Sequence, residues 1–117
     1  MAELMQRMAD LKVRGTTTAA GYLVFSVIDF IQHVRINTPT YEAATHRFRA
    51  MDQSTYEESM RPHIVMIKLP RGNSSYQTPC MSLVGLQMLF MWLHNKVQPE
   101  FHRAFQDIIT QFMSANA

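Results

Sequence analysis

The chain has 117 residues, enough for one domain with one core and too few for two. Hydrophobic residues make up 47% and charged residues 17%, which excludes a disordered tail, and a formal net charge of +2 excludes a strongly basic tail that coats nucleic acid. The single cysteine, Cys80, excludes an intrachain disulfide, no apolar run approaches the ~18–20 residues of a membrane span, and residues 1–14 lack a signal-peptide pattern, so a soluble intracellular protein is expected.

Residues 2–13 place Leu4, Met5, Met8 and Leu11 at helical spacing, which predicts a short N-terminal amphipathic helix (1–14) that packs back on the domain or pairs with a second copy. Arg14-Gly15-Thr16-Thr17-Thr18 then breaks it, because glycine leaves a helix cheaply and β-branched threonines discourage its return. Residues 21–25 read as a strand. Ser26 follows as an N-cap, with Asp29 placed against the free N–H groups of the first turn. Val27, Ile28, Phe30, Ile31 and Val34 form the apolar set of that helix, which Asn37 and Thr38-Pro39 end.

Thr38 is also a cap for the next helix, and Pro39 fits its first position. Tyr41, Ala44, Phe48 and Met51 recur at helical spacing there, with His46, Arg47 and Arg49 opposite. Residues 52–54 interrupt, and residues 56–60 are expected to add one more turn before Pro62.

Residues 64–69 give the clearest strand. Residues 70–75 read as a loop and 76–81 as the returning strand, a hairpin whose loop exceeds the two-residue minimum. Pro79 predicts an edge position for the return strand, since it cannot donate to a ladder. Ser82 caps a helix filled by Leu83, Leu86, Leu89, Phe90, Trp92 and Leu93, which is apolar nearly all round and therefore central. Residues 94–96 turn the chain into a last helix that opens with Pro99 and Glu100 and carries Phe101, Phe105, Ile108, Ile109 and Phe112 as a stripe, before a frayed tail at 114–117. The fold class expected is α+β: one small domain with a short antiparallel hairpin sheet packed by helices. Leu86, Leu89 and Phe105 should be buried together.

Between Glu58 and Glu100 there is no acidic residue, while Arg61, Lys68, Arg71 and Lys96 all lie there, so a nearly neutral chain can still carry a positive face. Lys68 and Arg71, around Gly72, Asn73, Ser74 and Ser75, can neutralise phosphates, with Asn and Ser fixing register and Tyr76 adding a hydroxyl or a stacking ring. The plainer reading is a solvated hairpin tip. His46, Arg47 and Arg49 form a second basic group, whose plainer reading is the solvated side of a helix.

Catalysis and metal binding find no support in the residues. His33, His46, His63, His94 and His102 show no zinc-ligand spacing, and the chain has no phosphate-binding glycine loop, nucleophile elbow or H-E-x-x-H. Cys80 beside Pro79 reads as a small buried apolar residue rather than a nucleophile. No enzyme, cofactor or small-molecule substrate is expected. Ten methionines suit either core filling or an adaptable partner surface, which leaves self-association through apolar helices as the alternative to nucleic-acid binding.

The stretch Gly85-Leu86-Gln87-Met88-Leu89, followed by a turn and Pro99-Glu100-Phe101, resembles the C-terminal half of the BRO-N domain, of the viral and phage BRO/KilA-N group. Pro79-Cys80-Met81 stands where that family has a strand, and Gly21-Tyr22-Leu23 is similar to the opening of KilA-N modules. The match spans most of residues 20–113, and its last third is the specific part. Phe105 stands nearest to the tryptophan that the family often carries in its last helix, and the phenylalanine of the Pro/Ala-x-x-Phe element comes at shorter spacing. The resemblance implies a BRO-N-like α+β domain over 15–117 that often precedes other domains, with duplex DNA as partner. It also implies that Lys96 stands for the basic residue before the last helix, and it places such a protein in the nucleus or at a site of viral replication.

Overall fold

The computed structural model describes residues 2–34, 40–50, 61–71, 74–93 and 98–113, with the side chains of 47–50, 71, 74 and 92 outside the description. In chain order these hold α1 (Ala2–Asp10), β1 (Gly15–Thr17), β2 (Leu23–Ser26), α2 (Val27–Val34), α3 (Tyr41–Ala50), a 3₁₀ turn at Arg61–His63, β3 (Ile64–Arg71), β4 (Ser74–Met81), α4 (Leu83–Trp92) and α5 (Pro99–Met113). The strands form one antiparallel sheet in the order β1-β2-β4-β3. The expected α+β domain is observed. The sheet is larger than a hairpin, because residues 15–17, expected only to break the first helix, form an edge strand on β2.

Alternation along β2 and β4 divides the interior. Phe25 and its partner Met81 face the main core, while the neighbouring Val24 and Cys80 join Leu69 in a smaller cluster on the opposite side of the sheet. The main core is built where α2, α4 and α5 meet. Phe30 packs edge-on to Phe101 and Phe105, with ring centroids 5.4 and 5.1 Å apart, and Phe90 lies 4.8 Å from Phe105. Leu86, Leu89 and Phe105 are all fully buried in this cluster, as expected.

Local signals explain most boundaries. The Ser26 hydroxyl accepts from the Asp29 N–H at 3.2 Å, and the Ser82 hydroxyl from Gly85 N–H at 3.3 Å, so both expected caps are made. At α3 the cap is Thr40, whose hydroxyl accepts from Ala43 N–H at 3.1 Å; Thr38-Pro39 lie outside the described residues, as do Asn37, Met51, 52–60, 94–97 and 114–117. Helix α1 ends at Asp10, before the glycine, because Lys12 turns the chain with φ +65° while Val13 N–H returns to the Met8 carbonyl at 3.0 Å. Gly85 is required by close approach: a Cβ there would lie 2.8 Å from that of His63 and 3.1 Å from that of Met81.

The apolar face of α1 is used within the chain. Met8 is fully buried in the main core, Leu4 and Leu11 pack against it, and Gln111 of α5 bonds to both Arg7 and Glu3. Phe112 and Met113 at the end of α5 pack on the same cluster. Helix α4 departs from the expected all-round burial. Val84 and Met91 are 46% and 65% exposed, so an apolar helix shows one apolar side to solvent. No helix among the described residues is long and apolar enough to cross a membrane.

Candidate nucleic-acid interface

The hairpin that carries the candidate residues is longer and tighter than its composition suggests. Pairing between β3 and β4 continues to Arg71 opposite Ser74, so only residues 72 and 73 separate the strands, where a longer loop over 70–75 was expected. Strand β2 pairs with β4 only at Met81 and Cys80. Beyond that point no third strand among the described residues joins β3 and β4, which run on as a two-stranded ribbon. The same fact corrects the reading of Pro79. Strand β4 lies inside the sheet order, yet Pro79 falls one residue past the segment that β2 covers and meets no ladder there.

Two prolines fix the phase of the ladder. Pro79 pairs with Met66 and Pro70 with Ser75, positions of the same parity, and neither proline can donate the N–H of a hydrogen-bonded pair. These pairs, and Lys68–Gln77 between them, therefore belong to the class whose side chains stand closest and whose backbone groups point away from the partner strand. Along this face of the ribbon Met66, Lys68, Pro70, Ser75 and Gln77 are all exposed.

The opposite face is partly closed. Leu69, Thr78 and Cys80 are buried there, and Tyr76, paired with Leu69, is half exposed. Lys68 and Tyr76, grouped together on sequence, thus share the ribbon and not a face. Arg71 and Ser74 pair at its far end; their side chains, and Asn73 and Lys96 altogether, lie outside the described residues. Arg47 and Arg49 are on α3, their side chains likewise outside. The first turn of that helix is tied to the ribbon by a 3.4 Å hydrogen bond between the Tyr41 and Thr78 hydroxyls. Gln77 was missed on sequence. Its signal was present: Gly72-Asn73 is a pair suited to a two-residue hairpin turn, and counting back from it sets Lys68 opposite Gln77.

An ion pair holds the ribbon to the body. Asp29, buried in α2, accepts from Arg14 Nε at 2.7 Å, from Nη2 at 3.1 Å and from the Arg14 backbone N–H at 3.1 Å. The same guanidinium donates through Nη1 to the Pro70 carbonyl on β3. The bond to Asp29 raises the Arg14 pKa above its ordinary value, against the opposing effect of burial. Sequence reading saw Asp29 only as a helix-start carboxylate, because its partner is reached through the fold rather than along one element.

Burial pushes the Cys80 thiol up to about 11, so it stays protonated near neutral pH, and its Sγ–H donates to the Thr78 carbonyl at 3.5 Å. Burial also lowers the pKa of His33, with Asp29 opposing. Among the described residues no three His, Cys, Asp or Glu side chains gather closely enough to hold a metal. Compared with known proteins, the chain matches no family model, no curated protein and no solved structure.

Proposed function

We propose that this chain is a non-enzymatic domain that binds duplex DNA through the exposed face of the β3–β4 ribbon. The observation that carries the reading is the Lys68–Gln77 pair, two exposed polar side chains directly opposite each other on a ribbon that no third strand among the described residues covers. A two-stranded ribbon fits the major groove of B-DNA, where glutamine pairs with adenine and a lysine beside it neutralises a phosphate. Ser75 on the same face suits a phosphate oxygen. Arg71, Asn73 and Ser74 at the far end, Arg47 and Arg49 on α3, and Lys96 supply further backbone contacts in this reading; Tyr76, on the other face, does not. The resemblance of residues 85–89 and 99–101 to the BRO-N group is its second support, and the nuclear or viral setting rests on that resemblance alone.

The test is fluorescence anisotropy of a labelled duplex at two salt concentrations, with Lys68→Ala and Gln77→Ala beside the parent. Binding should fall steeply with salt, and Lys68→Ala should reduce the logarithmic salt slope by about 1. Gln77→Ala should change preference among duplexes more than it changes the slope. Affinity that is flat with salt would sink the reading.

A second reading, self-association without DNA binding, is favoured by one observation: the solvent side of α4 shows Val84 and Met91 where a helix of this kind carries polar residues. Sedimentation velocity of the parent against Val84→Glu/Met91→Glu decides it. A concentration-dependent dimer that the double variant abolishes supports it, and a parent that stays monomeric counts against it.

A further inference from the structure

We propose that the outer edge of β3 is a docking edge for an extended acidic peptide, which joins the sheet as an added strand. The inference does not depend on DNA binding, because it concerns backbone groups that nucleic acid has no strand to match.

The ladder phase supplies the site. Met66 and Lys68 belong to the pairs whose N–H and C=O groups point away from β4, and β3 is the last strand of the sheet. Those groups therefore face outward, and no strand among the described residues pairs with them. Among the described residues the edge is closed at its far end only. Pro70 offers no N–H, and its carbonyl is already taken by Arg14. Nearer the body no described strand pairs with the edge, and its residues are apolar, with Val65 37% and Met66 56% exposed. Proteins usually blunt such an edge along its length, and one left open is a template for an added strand.

Charge selects the occupant. Arg61, Lys68 and Arg71 lie on or beside β3, and no acidic residue occurs between Glu58 and Glu100. A second copy is a poor fit. Two-fold antiparallel pairing centred on Met66 sets Lys68 of each copy opposite Ile64 of the other, a charge against a residue packed on the main core. Centring on Ile67 or Lys68 brings the two Lys68 positions to neighbouring or facing places in the ladder. A strand that alternates apolar and acidic residues meets opposite charge instead. It lays its carboxylates on the face that carries Lys68 and its apolar side chains on the opposite face, beside Val65 and Ile67.

The experiment is fluorescence polarisation of a labelled peptide of alternating valine and glutamate, with a valine–lysine peptide as its counterpart. Saturable binding of the first and none of the second is expected. Met66→Pro has the parity of Pro70, so it keeps the bonds to β4 and removes one outward donor; it should weaken the acidic peptide about tenfold. Lys68→Glu should exchange the preference, favouring the valine–lysine peptide. The proposal is overturned if the acidic peptide does not bind the parent. It is equally overturned if a folded Met66→Pro binds as the parent does. Should Met66→Pro not fold, an unchanged preference in Lys68→Glu overturns it.

Discussion

The two ends of the β3–β4 hairpin live in different surroundings although they belong to one ladder. At one end Ile64 packs on the main core opposite the fully buried Met81, with β2 alongside and α4 starting two residues later. At the other end Lys68, Pro70, Ser75 and Gln77 are exposed, and no third strand among the described residues pairs with β3 or β4. The near end is fixed by burial, so its residues are those a core demands. The far end is held in direction by the near end and by Arg14, which leaves its exposed face free to carry polar chemistry. A binding element needs that division: a rigid root and an unconstrained surface.

The strongest way to break the contrast is to remove the root. Leu89 is fully buried in the cluster that includes Met81 and Phe105, so Leu89→Ala should lower stability by about 2–5 kcal/mol in a denaturant titration. A loss below ~0.5 kcal/mol would place this leucine outside a packed core, since only surface changes are that small.

The next largest effect should come from the link between body and ribbon. Arg14→Ala leaves the buried Asp29 carboxylate without its guanidinium partner and frees the Pro70 carbonyl, and should cost about 2–3 kcal/mol. The Arg14 side chain is 40% exposed, which keeps the figure below that of a fully buried pair. Amide hydrogen exchange sharpens the point. In this variant the β3 amides near Pro70 should lose more protection than those of α4, because the ion pair reaches the ribbon and not that helix.

How much of this was legible in the sequence follows from the range of each interaction. Caps at Ser26 and Ser82, the stripe of α5 and the burial of Leu86 and Leu89 were readable, because each depends on residues within a few positions. Strand β1 was not. Gly15-Thr16-Thr17 has too few residues to show alternation, and only the pairing of Gly15 with Phe25 and Thr17 with Leu23 makes it a strand. The Arg14–Asp29 pair and the exposed side of α4 were hidden for the same reason, since both are decided by which elements meet. The candidate site was half legible. Its basic residues were visible, but which of them share a face is set by a register that the expected loop over 70–75 obscured.

The smallest expected effect is the most telling one. Lys68→Ala and Gln77→Ala each remove an exposed side chain from a face that packs on nothing described, so each should change stability by less than ~0.5 kcal/mol. Joined as a double variant, the two losses should stay similarly small, because neither side chain is buried and a cross-strand pair of this type contributes only about 0.2–1 kcal/mol. Parallel denaturant titrations of parent and double variant check this. Equal midpoints and slopes would mean that any loss of duplex binding in the same variant arises at the surface. A double variant destabilised as much as Leu89→Ala would mean that the ribbon is part of the core's support, and the division between rigid root and free face would fail.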